Sequence, residues 1–445
     1  MGYAALVVAT STRFRADNGP IISYGNDWFR LAIVCIVCML CMYYYDLYAS
    51  IFISGTRALP WIVAQVVGTT CIVLGTLYYF CPSLAIRISL FVPGVVFMGC
   101  CLLVWRALFS ALNGSRRFMA RTVILGGGPL ALPIAVEIES RPELGCQLVG
   151  FVAEAPESPA GLNGFRCIGD IRELPKIMDK EKVNRIIITM GDRRGTLPLE
   201  ELLELKAHGV TINDGIDFYE AATCKMYLGS PVLSQLLFSK GFRVSRIMLV
   251  FKHVFSFLFS LVLLILAIPL MGLVAVGIWL DSGWPILFRQ KRVGKDGRVF
   301  TLFKFRSMKL AGNVNGRGNG EPQPTQLNDV RFTSVGRWIR RLRVDELPQL
   351  YNILRGDMDF VGPRPFMLEE EHELARQIPY YKQRWTVRPG ATGWAQVHRA
   401  YCATLEDNID KLSYDLFYIK NMSIGLDLLI VFQTVKVLLC GRGAR

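Results

Sequence analysis

The feature that most constrains this 445-residue chain is a nearly unbroken apolar run over 254–280, interrupted near its middle by Pro269. As one helix it would be about 40 Å long, more than a bilayer's hydrocarbon core requires. Lys240, Arg243, Arg246 and Lys252 precede the run, and Arg289, Lys291, Arg292 and Lys295 follow it. Basic residues favour the cytoplasmic side, so both ends prefer the same face. A proline inside a helix removes a hydrogen bond and favours a kink. The run therefore predicts a helix that enters the membrane, bends at Pro269 and returns to the side it left. A simple crossing is the alternative.

Three further stretches, about 28–48, 61–81 and 86–110, are long and apolar enough to span a bilayer. Trp28, Tyr43 to Tyr45, Trp61, Tyr78 and Tyr79 cluster near their ends, as interfacial aromatics do. Arg106 near the end of the third and Arg116, Arg117 and Arg121 after it place the next segment in the cytoplasm. Residues 1–10 are an apolar stub that reads like the tail of a further helix. The chain is 52% apolar with a formal charge of +14, a mean hydropathy of +0.34 and a pI near 9.3. So basic a balance implies an anionic partner. Beside apolar blocks, that partner is lipid or phosphate rather than nucleic acid. Cys35, Cys38 and Cys41 have no companion cluster, and the four histidines are not at ligand spacing, so zinc is not expected.

Residues 116–235 carry an α/β pattern. The strand-like Thr122 to Leu125 runs into Gly126, Gly127 and Gly128 and then a helical stretch. Leu148 to Val152 and Arg185 to Thr189 alternate with helical segments such as 197–207, as in a Rossmann-like unit. Gly126, Gly128 and Ala131 fit a G-x-G-x-x-A turn that could seat a pyrophosphate. A ribose-binding acid has only the poorly placed candidates Glu154 and Glu157, so the turn reads as structural. A nucleotide-sugar dehydratase or epimerase would also need a Tyr-x-x-x-Lys pair, and none stands out there.

Residues 236–445 hold the chemistry. Lys304 and Arg306 stand two apart, so on a strand they share a face suited to an anion. Val335, Trp338, Ile339 and Leu342 fall on one helical face with Arg337, Arg340 and Arg341 off it, which reads as a helix lying on a membrane surface. Asp345-Glu346 follows. Asp345 is either an N-cap for a helix begun at Pro348 or part of a phosphate and metal site at that helix start. The turn Gly362-Pro363-Arg364-Pro365 holds Arg364 rigidly, and a second Gly/Pro turn carries Arg388. The apolar end, 423–440, contains Asp427, Gln433 and Lys436 and suits a docked helix better than a span.

Taken together, FRQKRVGKDG, FKFRSM, IRRLRVDELPQLYNILRGDM, VGPRP and PGATGWAQV resemble the bacterial sugar transferases, the monotopic polyprenyl-phosphate phosphoglycosyl transferases. The resemblance covers roughly the last 200 residues, and the preceding blocks look like those of large members that initiate exopolysaccharide or O-antigen repeats. It implies a multi-domain membrane protein of the bacterial inner membrane: an N-terminal transmembrane bundle (1–115), the Rossmann-like domain (116–235), and a cytoplasmic-face α+β catalytic domain with a re-entrant helix (236–445). It implies transfer of a sugar 1-phosphate from a UDP-sugar donor to undecaprenyl phosphate with release of UMP, and Mg²⁺ as cofactor. Expected partners are the donor, the acceptor, membrane lipids and, as a homodimer, a second copy, with no nucleic acid. By the same resemblance Asp345 is the nucleophile, Glu346 its partner and a metal ligand with it, Lys304, Arg306, Arg340 and Arg364 bind phosphate, and Pro363, Pro365 and Arg388 form substrate-binding turns. Two departures stand out: Arg343-Val344 replaces the Ser-Leu often found before the dyad, and Ile268 replaces a serine before Pro269. A non-catalytic scaffold remains the rival reading, opposed by the intact dyad.

Overall fold

The computed structural model describes residues 27–45, 59–84, 88–113, 119–153, 164–191, 197–229, 245–308, 332–399 and 404–439. The stub 1–10, the loop 311–328, Glu154 and Glu157 lie outside them. The chain divides into two compact units, Met1–Asn213 and Asp214–Arg445.

In the first unit, α1 (Asp27–Tyr44), α2 (Leu59–Phe80) and α3 (Ile88–Asn113) coincide with the three expected apolar stretches. Val34, Cys38 and Cys41 on α1 and Val63, Val66, Thr70 and Leu74 on α2 are buried at helical spacing. Cys38 and Cys41 therefore act as small hydrophobic packing residues. By length and composition, two helices of the described chain could cross a membrane, Ile62–Phe80 and Arg246–Ser282.

The α/β part comprises β1 (Ala120–Leu125), α4 (Ala131–Ser140), β2 (Cys146–Ala153), β3 (Cys167–Asp170), α5 (Leu174–Glu181), β4 (Arg185–Ile188), α6 (Leu199–Ala207) and β5 (Thr211–Asp214). The strands form one sheet in the order β3-β2-β1-β4-β5, with β1 parallel to both β2 and β4. The sheet order reverses between β1 and β4, where such folds hold their ligands. There a Cβ on Gly128 would stand 2.0 Å from the Thr189 carbonyl oxygen. The Thr189 hydroxyl in turn donates to the Gly126 carbonyl at 2.7 Å. Close backbone packing thus accounts for the glycine turn.

The second unit begins with α7 (Gly215–Thr223), whose N-terminus Asp214 caps through the Ile216 amide. Its boundary is a correction: the expected division at 235/236 cuts through residues that belong to this core. Met226 is buried in it, the Trp394 indole donates to the Cys224 carbonyl at 3.0 Å, and Lys420 pairs with Glu220 at 2.6 Å. A chain beginning at 236 should therefore be less stable than one beginning at 214 by about 3 kcal/mol or more, from Met226 burial and the stranded Lys420. Equal denaturation midpoints for the two would place residues 214–229 outside the core.

Next comes α8 (Arg246–Ser282), 37 residues long and helical through Pro269. One side is apolar and exposed, with Val262, Ile265, Leu266, Ile268 and Leu273 among its residues. The other side meets the rest of the second unit along its length. Near its start, the Lys252 ammonium donates to Asp427 at 2.9 Å, to the Val361 carbonyl at 2.9 Å and to the Tyr418 hydroxyl. Leu263 and Leu264 pack with Leu302, Leu350 and Met358. Val274 and Ile278 pack with Phe305, Ile339 and Val344.

The hairpin β6 (Leu287–Val293) and β7 (Val299–Phe305) is antiparallel, pairing Arg292 with Phe300 and Phe288 with Lys304. Next, α9 (Ser334–Arg341) divides the face expected to lie on a membrane. Ile339 is buried and Val335 packs against α8, whereas Trp338 and Leu342 are exposed. Then come α10 (Gln349–Arg355), β8 (Asp359–Val361), α11 (Leu368–Gln377), β9 (Gly390–Thr392), α12 (Trp394–His398), α13 (Leu405–Lys420) and α14 (Ile424–Leu439). The buried Asn352 amide extends the β7 ladder, accepting from the Phe303 amide at 3.1 Å and donating to the Thr301 carbonyl at 2.7 Å.

Candidate active site

Asp345 and Glu346 sit in a 3₁₀ turn, Val344–Glu346, between α9 and α10. Arg343 enters it at φ 54°, a left-handed conformation that costs energy for a side chain this large. The N-cap reading of Asp345 does not hold. Pro348 occupies the N-cap of α10, and the carboxylate of Asp345 has no hydrogen-bond partner among the described residues.

Glu346 is the hub of the site. Its Oε1 accepts from Arg364 at 2.8 Å and from Lys304 at 3.4 Å, and Arg343 approaches Oε2 at 3.7 Å. Burial alone would raise its pKa, but the combined pull of Arg364, Lys304 and Arg343 takes it well below the usual carboxylate range. Asp345 goes the other way. Burial and the neighbouring Glu346 charge push its pKa to about 6, although Lys304, Arg340 and Arg364 pull against them. Two adjacent carboxylates with divergent pKa values assign the proton, when one is present, to Asp345. Lys304 is lowered, chiefly by burial.

The cations are delivered by local structure. Register on β7 sends Lys304 toward Glu346. Arg364 stands on the Pro363–Pro365 turn, which is anchored at both prolines: Pro363 accepts from the Gly390 amide at 2.9 Å, and Pro365 accepts from Arg292 at 3.1 Å. The β8–β9 crossing beneath requires bare backbone, since a Cβ on Gly390 would fall 2.0 Å from the Gly362 nitrogen. The carbonyl of Arg364 accepts from Arg384 at 2.8 Å. Arg340 lies over the Phe332 ring at 4.8 Å and acts on Asp345 by charge.

Lys304, Arg340 and Arg364 thus gather around Asp345 and Glu346. Arg306 and Arg388 do not. Arg306 lies beyond the end of β7, and its guanidinium donates to the Ser282 carbonyl and hydroxyl at 2.6 and 2.7 Å, closing the C-terminus of α8. Arg388 instead faces Asp359 at 3.8 Å. Pro269 is exposed within α8. Two contributors lay beyond sequence reasoning. Arg343, noted only as a departure from the family pattern, adds a cation at Glu346, and Arg292 shares the hairpin face of Lys304. The register makes that sharing visible only once the hairpin is known.

For a divalent metal, the described residues contain no cluster of three or more His, Cys, Asp or Glu. Mg²⁺ typically takes one or two carboxylates and completes its shell with substrate phosphates and water. Asp345 and Oε2 of Glu346 fit that pattern; Oε1 of Glu346 does not, because two cations already occupy it.

Residues 247–441 match the family described as "Bacterial sugar transferase", and residues 44–212 match one described as "CoA-binding domain". The chain is 48% identical over 177 residues to a UDP-N-acetylgalactosamine-undecaprenyl-phosphate N-acetylgalactosaminephosphotransferase of Aeromonas hydrophila, covering 40% of the chain but only 41% of that relative. It is 32% identical over 357 residues to the UDP-glucose:undecaprenyl-phosphate glucose-1-phosphate transferase of Xanthomonas campestris pv. campestris, covering 78% of the chain and 72% of that relative. It is 30% identical over 352 residues to the undecaprenyl-phosphate galactose phosphotransferase of Salmonella typhimurium, covering 75% and 71%. The second and third of these matches extend well beyond the last 200 residues and cover more than two thirds of each relative, and the chain belongs to the bacterial sugar transferase family.

Proposed function

We propose that the chain transfers a sugar 1-phosphate from a UDP-sugar to undecaprenyl phosphate through an aspartyl intermediate, as the first membrane step of exopolysaccharide or O-antigen assembly. The observation that carries this reading is Asp345: a buried carboxylate without a hydrogen-bond partner among the described residues, set among cations of which its neighbour Glu346 holds Lys304 and Arg364 in place. A carboxylate oxygen of Asp345 attacks the sugar-bearing phosphorus, and the bond from that phosphorus to the UMP oxygen breaks. UMP departs with the electron pair and leaves a phosphosugar on Asp345. An oxygen of the lipid phosphate then attacks the same phosphorus, frees Asp345 and forms the polyprenyl diphosphate sugar. Splitting the transfer this way spares two phosphate anions from meeting directly. Lys304, Arg340 and Arg364 stabilise charge on the equatorial and leaving oxygens. Mg²⁺ bound by Asp345 and Glu346 would add charge neutralisation of the diphosphate. The relatives' names cover N-acetylgalactosamine, glucose and galactose donors, so the sugar is best identified by screening UMP release over a panel of UDP-sugars with undecaprenyl phosphate. No release with any donor would sink the proposal.

The reading extends to topology: a multi-pass inner-membrane protein whose catalytic domain faces the cytoplasm, with α8 re-entrant. Support comes from where α8 is held. Lys252 near its start and Ser282 at its end both make polar contacts with the same catalytic body. A straight crossing between them would separate those contacts by about 45 Å of helix. Cysteines placed at Ser245 and Gln290 in a background without native cysteines should label from the same, cytoplasmic side. Labelling from opposite sides would establish a crossing helix instead.

A further inference from the structure

Around the dyad, the cations Lys304, Arg340, Arg343 and Arg364 outnumber the two carboxylates, and Glu346 engages three of the four directly. Arg292 is different. Register places it on the same hairpin face as Lys304. Its guanidinium is held by neutral groups only, the Pro365 carbonyl at 3.1 Å and the Gln290 amide oxygen at 2.5 Å. No carboxylate lies within 4.0 Å of it among the described residues, and its buried Nε has no partner. Of five N–H donors, two are used and three remain. Glu346, Glu370 and Glu371 act on it only from a distance, and Arg364 opposes it. Burial and the Arg364 charge lower its pKa to about 10, which marks a cation short of a counter-ion.

We infer that Arg292 binds the diphosphate of the nucleotide-sugar donor, as the cation whose contact anion is the ligand itself. Phosphate oxygens suit a forked guanidinium with spare donors. Pinning by Pro365 and Gln290 fixes Arg292 beside Arg364, so the two guanidiniums flank the same ligand. The inference rests on the proposed UDP-sugar donor and adds a residue to its site.

The test is equilibrium binding to the full chain in nanodiscs, with Mg²⁺ present and without acceptor, of three ligands with two, one and no phosphates: UDP, UMP and uridine. Arg292→Gln should weaken UDP by about tenfold or more, UMP by less, and leave uridine unchanged. Arg292→Lys should fall between, because charge returns without the fork. Melting temperatures near the wild type should accompany both. UDP binding unaltered in Arg292→Gln would overturn the inference. Equal losses for all three ligands would also overturn it, by showing that Arg292 acts only as a latch on Pro365. A wild-type chain that bound no UDP would remove the donor reading, and this inference with it.

Discussion

Asp345→Asn should abolish turnover by several orders of magnitude while making the folded protein more stable. Both effects follow from one environment. The carboxylate is buried, has no hydrogen-bond partner among the described residues, and is raised from 3.8 to about 6 by desolvation and Glu346. A group whose folded pKa exceeds its unfolded one stabilises the fold when protonated, and loses that contribution as pH rises through the folded value. At pH 8 ionised Asp345 therefore costs about 3 kcal/mol at most, which asparagine would relieve. The stability gain should shrink as pH falls from 7 toward 4. Native activity should show an acid limb near pH 6, where the nucleophile becomes protonated. With donor alone, the native enzyme should release UMP in a burst near one equivalent and gain the mass of a sugar phosphate at Asp345. Near-native turnover of the asparagine variant, or no donor-only burst, would replace the two-step mechanism with direct attack by the lipid phosphate.

Arg384→Ala should cause the largest loss of stability among single substitutions in the catalytic unit. Arg384 is 4% exposed. It pairs with Asp415 at 2.9 Å and Glu371 at 3.2 Å, and donates to the Tyr381 hydroxyl at 2.5 Å and to the Arg364 carbonyl at 2.8 Å. Removing it leaves Asp415 and Glu371 buried without their cation, although Glu371 keeps the Trp385 indole at 3.1 Å, and breaking such a cluster costs about 3–5 kcal/mol. For a unit of this size, that is a melting-temperature drop of roughly 6–20 °C. Replacing Arg384, Glu371 and Asp415 together with apolar residues of similar volume should recover much of the loss. A drop of under about 1 kcal/mol in Arg384→Ala would mean that water reaches these charges.

The parts of the site legible in sequence were those whose geometry is local. Asp345 and Glu346 share one turn, and Arg364 is fixed by the prolines on either side of it. Lys304 follows from strand alternation, but the same rule failed for Arg306. Alternation applies only within the strand, and β7 ends at Phe305. The approach of Arg388 to Asp359 was invisible for another reason: that acid lies on the neighbouring strand, 29 residues earlier in the chain. Arg384 was silent for a related reason: Asp415 is 31 residues away, and nothing in either segment alone marks the pair. In the fold, long periodic helices were plain, while the short strands Cys167–Asp170 and Thr211–Asp214 carried too little pattern to stand out. The boundary error near 235 arose because Glu220 and Met226 look like ordinary linker residues until α13 is folded beside them.

The Lys252–Asp427 contact also fixes an order in time. Lys252 is buried in the folded unit, and an ammonium taken out of water costs several kcal/mol until it is paired. Its acid partner is encoded 175 residues later, on α14. At ordinary ribosome speeds that gap is roughly ten to thirty seconds of synthesis. Until α14 emerges, α8 carries an uncompensated charge and cannot take up its final seat. Docking of α8 against the rest of its unit therefore follows synthesis of the catalytic domain, and α14 is the segment whose arrival completes it.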